Sequence, residues 1–208
     1  MRAVILANGA FPTSPILINE LRGAKFLAVC DGAVKYLESL GIEPSVIIGD
    51  LDSITGELRE KYSQKLVHIK EQKSNDLSKA FFHCVSLGYD EFIILGATGK
   101  REDHTLGNIS LLSVFINYCK NVVIKSDFGI FSVHKTPCKI SSQKGEQISL
   151  FSLNPSAKFT SSHLKYPLKA LTLPIWANGT LNEALSTSFE ITSQTEGECL
   201  IIYRSLKH

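Results

Sequence analysis

The chain has 208 residues, a formal net charge of +2 and 44% hydrophobic residues. That length predicts one or two compact units with a real core. The near-neutral balance, with no basic tract, argues against nucleic acid as a partner. Cys30, Cys84, Cys119, Cys138 and Cys199 are odd in number and form no Cys-x-x-Cys pair. That argues against a disulfide framework or a zinc site and predicts a reducing, cytoplasmic setting. No apolar run approaches a membrane span, and the opening Met1-Arg2-Ala3-Val4-Ile5-Leu6 reads as a strand, with no signal peptide.

The first 130 residues alternate strand and helix signals. Ala3 to Leu6 is a predicted strand, broken at Asn8-Gly9. Phe26 to Val29 is a second, ending in Cys30-Asp31-Gly32, and a helix follows over Ala33 to Leu40, stopped by Gly41. Val46 to Ile48 and Leu66 to Ile69 are the third and fourth strands. Asn75 is a good N-cap for a helix over Asp76 to Leu87, with Leu77, Ala80, Phe81 and Cys84 on one face and Gly88 beyond its end. Phe92 to Leu95 is a strand leading into Gly96-Ala97-Thr98-Gly99. The next helix carries Leu106, Ile109, Leu112 and Ile116, and Val122 to Ile124 is a further strand. Such alternation predicts a mostly parallel sheet with helices on both faces.

After residue 130 Ser, Thr and Gly rise and helical periodicity disappears. Phe131 to His134, Gln147 to Leu153, Ala170 to Leu173, Ser188 to Ile191 and Cys199 to Tyr203 read as short strands. They predict a smaller all-β sandwich domain over 131–208, after an α/β domain over 1–130.

Every polar cluster of the first half lies just after a predicted strand, where ligands of α/β sheets bind. Asp50 and Asp52, in Gly49-Asp50-Leu51-Asp52-Ser53, follow a buried apolar run. Two carboxylates there repel each other unless a cation sits between them, and Mg²⁺ is held by one or two carboxylates plus substrate phosphates. The same spacing also describes an acidic turn between strand and helix. Asp31 reads either as a ligand group beside Gly32 or as a helix cap. Asp76 reads as a third metal ligand or as a carboxylate favoured by the helix dipole. Lys79 reads as a phosphate partner or a surface lysine, and Gln72 as a ligand contact or plain loop polarity. Gly96 to His104 offers backbone N–H groups at a helix N-terminus, with Arg101 suited to bidentate phosphate pairing and Asp103 and His104 beside it. It is neither a P-loop nor a dinucleotide fingerprint. Together these residues predict a site for polyphosphate plus metal.

Four of these segments resemble one family in order and spacing. They are Asp31-Gly32, Gly49 to Ser53, Asn75-Asp76-Leu77-Ser78-Lys79-Ala80, and Gly96 to His104. They are similar to the Asp-Gly-Gly/Ala, Gly-Asp-x-Asp-Ser, Thr-Asp-x-x-Lys-Ala and Gly-Gly-Arg-x-Asp-His patterns of thiamine pyrophosphokinases. In the second half, Leu164-Lys165-Tyr166-Pro167-Leu168 and Asn178-Gly179-Thr180-Leu181-Asn182-Glu183 resemble that family's Leu-Lys-Tyr-Pro-Leu and Gly-x-Ser-Asn-Glu segments. The chain departs from these patterns at Asn75 (usually Thr), Lys100 (usually Gly) and Leu181 (commonly Ser).

The resemblance implies Mg²⁺-dependent transfer of pyrophosphate from ATP to the thiamine hydroxyl, giving thiamine diphosphate and AMP. It also implies a homodimer, with thiamine bound at the subunit interface by the sandwich domain. On this reading Asp50, Asp52 and Asp76 hold the metal, and with Arg101 they form the catalytic set. Asn8, Gly9, Asp31, Gly32, Lys79, Thr98, Arg101, Asp103 and His104 face ATP. Gln72, Trp176 and Asn182 face thiamine, with sandwich core filling as the other reading of Trp176. A metal-dependent nucleotide phosphohydrolase and a non-catalytic nucleotide- or thiamine-binding protein are the competing classes.

Overall fold

A computed structural model describes residues 1–206. The chain divides into two compact units, the first spanning Met1–Asp127 and the second beginning at Phe128.

The first unit contains strands β1 (Arg2–Leu6), β2 (Leu27–Cys30), β3 (Val46–Gly49), β4 (Leu66–His68), β5 (Glu91–Leu95) and β6 (Asn121–Ser126). All pair in parallel, in the order β6-β5-β1-β2-β3-β4. Parallel strands buried on both faces need continuous apolar runs. Ala3 to Leu6 and Phe92 to Leu95 supply them, and all are buried. The helices are α1 (Pro15–Arg22), α2 (Lys35–Glu38), α3 (Gly56–Lys61), α4 (Asp76–Ser86) and α5 (Glu102–Phe115).

The period-two alternation of each strand sends its side chains to two helical layers. Val4, Leu6, Val29, Ile47, Ile93 and Leu95 pack with Leu17 and Leu21 of α1, Leu37 of α2 and Leu58 of α3. On the other face Phe81 of α4 stacks on Phe115 of α5 at 3.8 Å between ring centres and tilts against Phe92 at 4.5 Å. The sheet therefore has helices on both faces, as the alternation predicted.

Four details differ from the sequence reading. The helix expected over Ala33 to Leu40 is a 3-10 turn over Asp31–Ala33 followed by the single turn of α2, because Asp31 bonds the adjacent Gly32 N–H and caps nothing further along. The buried face of α5 is Asn108, Ile109, Leu112 and Phe115, so Leu106 is exposed. Two helices were not read from the sequence. α1 starts on a Ser14 cap with Pro15 in its first turn, and α3 starts on a Thr55 cap.

In the second unit one antiparallel group runs β12 (Asn182–Glu183), β9 (Gln147–Ser152), β14 (Cys199–Ser205), β7 (Gly129–Lys135). The other runs β11 (Leu171–Thr172), β10 (Lys158–Ser162), β13 (Ser188–Ser193), β8 (Cys138–Ser141). Ile148, Leu150, Leu200 and Ile202 from the first group share one core with Ile140, Phe159, Phe189 and Ile191 from the second. That is the sandwich expected of alternating strands. β8, β10 and the two-residue β12 were not anticipated.

Candidate active site at the carboxyl ends of the parallel strands

Strand order in the first unit reverses between β1 and β5. At such a switch point the loops leaving neighbouring strands diverge and open a crevice. A cavity of roughly 500 Å³ lies there. Its walls carry Asn8 and Gly9 after β1, Asp50 after β3, Gln72, Asp76 and Lys79 at the start of α4, and Arg101 and His104 at the start of α5.

The β1 and β5 loops are bonded together. Gly9 N–H donates to Gly96 O at 2.6 Å, and Ala10 N–H to Thr98 O at 2.8 Å. Thr98 thus fixes the loop through its carbonyl. A Cβ at Gly32 would overlap the Asn8 side-chain nitrogen, so a larger residue there would displace that amide.

Asp50 forms a tight acidic turn. Its Oδ1 accepts the Asp52 N–H at 3.2 Å, its Oδ2 the Gln72 Nε2–H at 3.5 Å, and Leu51 between the two aspartates has φ +65°. The Asp52 amide, ahead of Gln72 and Lys79, holds the Asp50 carboxyl below the usual range. Arg59 of α3 donates to the Leu51 carbonyl at 2.5 Å and secures the turn. Asp50 faces the cavity, whereas Asp52 is exposed and off its wall.

Asp31 is almost fully buried. Its Oδ1 accepts the Gly32 N–H at 2.5 Å, while Oδ2 has no hydrogen-bond partner. Burial first, then the charge of Asp76, raises its pKa. Burial raises the neighbouring Cys30 thiol as well. The Lys79 side chain is 4% exposed and donates to Asp76 Oδ1 at 3.2 Å. Asn75 caps α4 by accepting from Ser78 N–H at 2.9 Å. Its amide donates to Asn108, which in turn donates to Ala97 O, at 2.9 and 2.8 Å.

Arg101 and Asp103 form a fork, with Nε–Oδ1 at 3.1 Å and Nη2–Oδ2 at 2.6 Å. It carries Asp103 down to about 2. Both side chains are exposed, and only Arg101 reaches the cavity wall.

Among the described residues no group of three or more His, Cys, Asp or Glu side chains stands ready to hold a metal ion. Two carboxylates on one wall, with the orphaned Asp31 oxygen nearby in charge terms, are nonetheless hard oxygen donors of the kind Mg²⁺ takes when phosphates complete its shell. The donor set fits.

The thiamine-facing candidates of the second unit have structural partners. Trp176 is half-buried; its Nε1–H donates to Ser152 O at 3.2 Å, and its ring lies 5.5 Å from Phe151. Asn182 is buried, accepts from Tyr166 N–H at 3.0 Å and Glu183 N–H at 2.9 Å, and donates to Tyr166 O at 2.7 Å. It also lines a cavity of about 430 Å³ with Tyr166, Leu171 and Leu181.

Sequence reasoning missed Asn108 and Lys35, which also line the first cavity, and noted Lys100 there only as a departure from the family's usual Gly. Asn108 was detectable as a polar residue on an otherwise apolar helix face. Lys35 carried no signal that separates it from a surface lysine.

A doubly wound parallel sheet that gathers carboxylates and cations over its switch point defines a phosphate-handling α/β protein. The family model for the thiamin pyrophosphokinase catalytic domain matches residues 17–124, and that for the thiamin pyrophosphokinase substrate-binding domain matches residues 129–203. The chain belongs to the thiamin pyrophosphokinase family. It is an enzyme of that class, and the class reaction transfers pyrophosphate from ATP to thiamine. Thiamine pyrophosphokinase 1 of Oryza sativa subsp. japonica is 33% identical over 198 residues, covering 80% of this chain and 73% of the relative. Thiamine pyrophosphokinase of Bacillus subtilis (strain 168) is 40% identical over 91 residues, 42% of each chain. Solved structures of relatives share the fold. Thiamine pyrophosphokinase from Bacillus subtilis has a TM-score of 0.82 at 24% identity and full coverage of both chains. Thiamin pyrophosphokinase from Candida albicans has 0.83 at 17% identity, covering 99% of this chain and 90% of that one.

Proposed function

We propose that this chain carries out the pyrophosphokinase reaction in the crevice between β1 and β5. The thiamine hydroxyl attacks the β-phosphorus of ATP in line, its proton passes to solvent, and AMP leaves. The observation that carries this placement is the convergence of Asp50, Asp76, Lys79 and Arg101 on one cavity.

Asp50 and Asp76, the two carboxylates on the cavity wall, would hold Mg²⁺; Asp52, exposed and off that wall, stands outside the set. When bound, the metal neutralises charge on the phosphate oxygens. Arg101 pairs with phosphate by exchanging its Asp103 fork for a phosphate fork, a like-for-like bidentate interaction. Lys79 orients Asp76 and adds positive charge from a buried position, where it is strongest. Asn8, Gly9, Asp31, Gly32 and Thr98 shape the nucleotide wall, and Asp103 and His104 flank it. Gln72 stands beside Asp50, where it can meet the thiamine pyrimidine. Trp176 and Asn182 support the thiamine side from the second unit.

Large exposed apolar side chains at Tyr166, Leu171, Ile175 and Leu181 favour a homodimer whose interface includes the thiamine site. All five cysteines are free, which fits a cytoplasmic enzyme. No helix among the described residues is long and apolar enough to cross a membrane.

The test follows AMP in a mixture of the chain, ATP, thiamine and Mg²⁺. AMP and thiamine diphosphate must appear together, and Asp50→Asn must lose turnover by orders of magnitude. Nucleotide loss without thiamine would mark a phosphohydrolase. Binding of both substrates without AMP would mark a binding protein. Equilibrium sedimentation checks the dimer.

A further inference from the structure

Lys100 has φ +61°, a left-handed conformation that residues with a Cβ rarely hold. Such strain persists only where the surroundings over-determine it. Here the side chain provides that hold. Lys100 Nζ donates to the Asn8 carbonyl at 3.1 Å and to the Tyr36 hydroxyl at 2.9 Å. It also lies 4.8 Å from the Tyr36 ring centre, and that ring packs on Phe11 at 5.4 Å. One lysine thereby ties the β5 loop, the β1 loop and α2 together. Two of its three N–H groups are taken, and the third has no protein partner among the described residues. The residue stands on the cavity wall beside Lys35 and Arg101.

A lysine serving only as a tie would be an expensive choice at a left-handed position, since glycine adopts that conformation freely. An ammonium fixed at two points on the wall of a cavity that also carries Lys35, Lys79 and Arg101 has a clear partner in an anion. We propose that Lys100 is a nucleotide-phosphate-binding residue, pre-positioned across the mouth of the crevice by the Asn8 carbonyl and the Tyr36 hydroxyl. The hydrogen bond from Lys100 also lowers the Tyr36 pKa, in keeping with a firmly seated pair. This inference rests on the site proposed above.

The test compares the parent chain with Lys100→Gly, Lys100→Met, Lys100→Arg and Tyr36→Phe. Parent turnover of ATP with thiamine tests the site itself, independently of Lys100. Lys100→Gly relieves the backbone, so its melting temperature should hold or rise. Its affinity for ATP should fall about tenfold, the size of one lost charge-assisted hydrogen bond. KM for ATP should rise with it, while KM for thiamine and affinity for adenosine stay level. Lys100→Met should show the same split, Lys100→Arg should recover most of the loss, and Tyr36→Phe should lose about threefold by loosening one tether. Equal losses for ATP and adenosine would reduce Lys100 to a loop tie and overturn the proposal. So would unchanged ATP affinity in both Lys100→Gly and Lys100→Met.

Discussion

Gly49 lies flat against the carboxyl group of Asp31: a Cβ at position 49 would stand 2.7 Å from Asp31 Cγ and 2.8 Å from Oδ2. The last residue of β3 is therefore glycine because the first residue after β2 is a buried aspartate. Gly49→Ala should cost about 1–3 kcal/mol, as overpacking does, and should depress turnover by displacing Asp31. In an Asp31→Ala background the same substitution should cost markedly less, because only the contact with the Cβ of residue 31, at 3.0 Å, remains. A double-mutant cycle by urea unfolding reads the coupling, and additive losses would disprove the contact.

The raised pKa of Asp31 has a definite sign. Its proton is bound more tightly in the folded chain than in the unfolded one. Stability therefore falls as pH rises from the ordinary value of 3.8 through the raised one, and the loss persists above it. Asp31→Asn removes that charge. The variant should be more stable than the parent at pH 7, and the difference should vanish below pH 3.8. Denaturant midpoints at the two pH values measure this. On the proposed nucleotide-facing role of Asp31, turnover should fall as well.

Lys79 is the buried cation of the pair and Asp76 its half-exposed partner. Lys79→Met fills the same space without charge. It should cost only about 1 kcal/mol in stability, since water can still solvate Asp76, but about 100-fold or more in kcat/KM, the scale of a lost transition-state charge. Steady-state kinetics beside thermal unfolding separates the two effects.

Arg101→Ala should leave the unfolding midpoint essentially unchanged, because the side chain is exposed. It should cut kcat by about 100- to 1,000-fold. Asp103 titrates at about 2, so the resting fork stays intact at any ordinary assay pH. Asp103→Asn should consequently leave the acid limb of the activity profile where it is.

Asn182 satisfies three backbone groups in a buried place. Asn182→Ala should destabilise the chain by about 2–3 kcal/mol whether or not thiamine is present, the cost of stranding buried polar groups. Unfolding midpoints with and without the vitamin distinguish this loss from one of ligand affinity.

The parallel sheet was legible because its strands are uninterrupted apolar runs, and the position of the site followed because Asp31, Asp50 and Arg101 each come just after such a run. The Asn75 cap was legible for a similarly local reason. Other features depended on contacts far apart in sequence. Asp50 and Asp52 looked equivalent two residues apart. The left-handed Leu51 and the bond from the Asp52 amide leave Asp50 on the cavity wall and Asp52 in solvent. Asn182 looked like a ligand contact, and its polar atoms proved to be engaged by Tyr166 and Glu183 backbone.

By itself the sequence determined the α/β alternation and the family, and it placed the candidate polar clusters at the strand ends. These follow from periodicity and short motifs, both of which are local. Tertiary structure alone decided that Lys79 is buried against Asp76, that an Asp31 oxygen is left unpaired, and that Lys100 reaches Tyr36. The Lys79–Asp76 pair follows from i,i+3 spacing on α4, but the burial of Lys79, the orphaned Asp31 oxygen and the reach of Lys100 to Tyr36 depend on segments far apart in sequence packing together, which spacing along the chain does not encode.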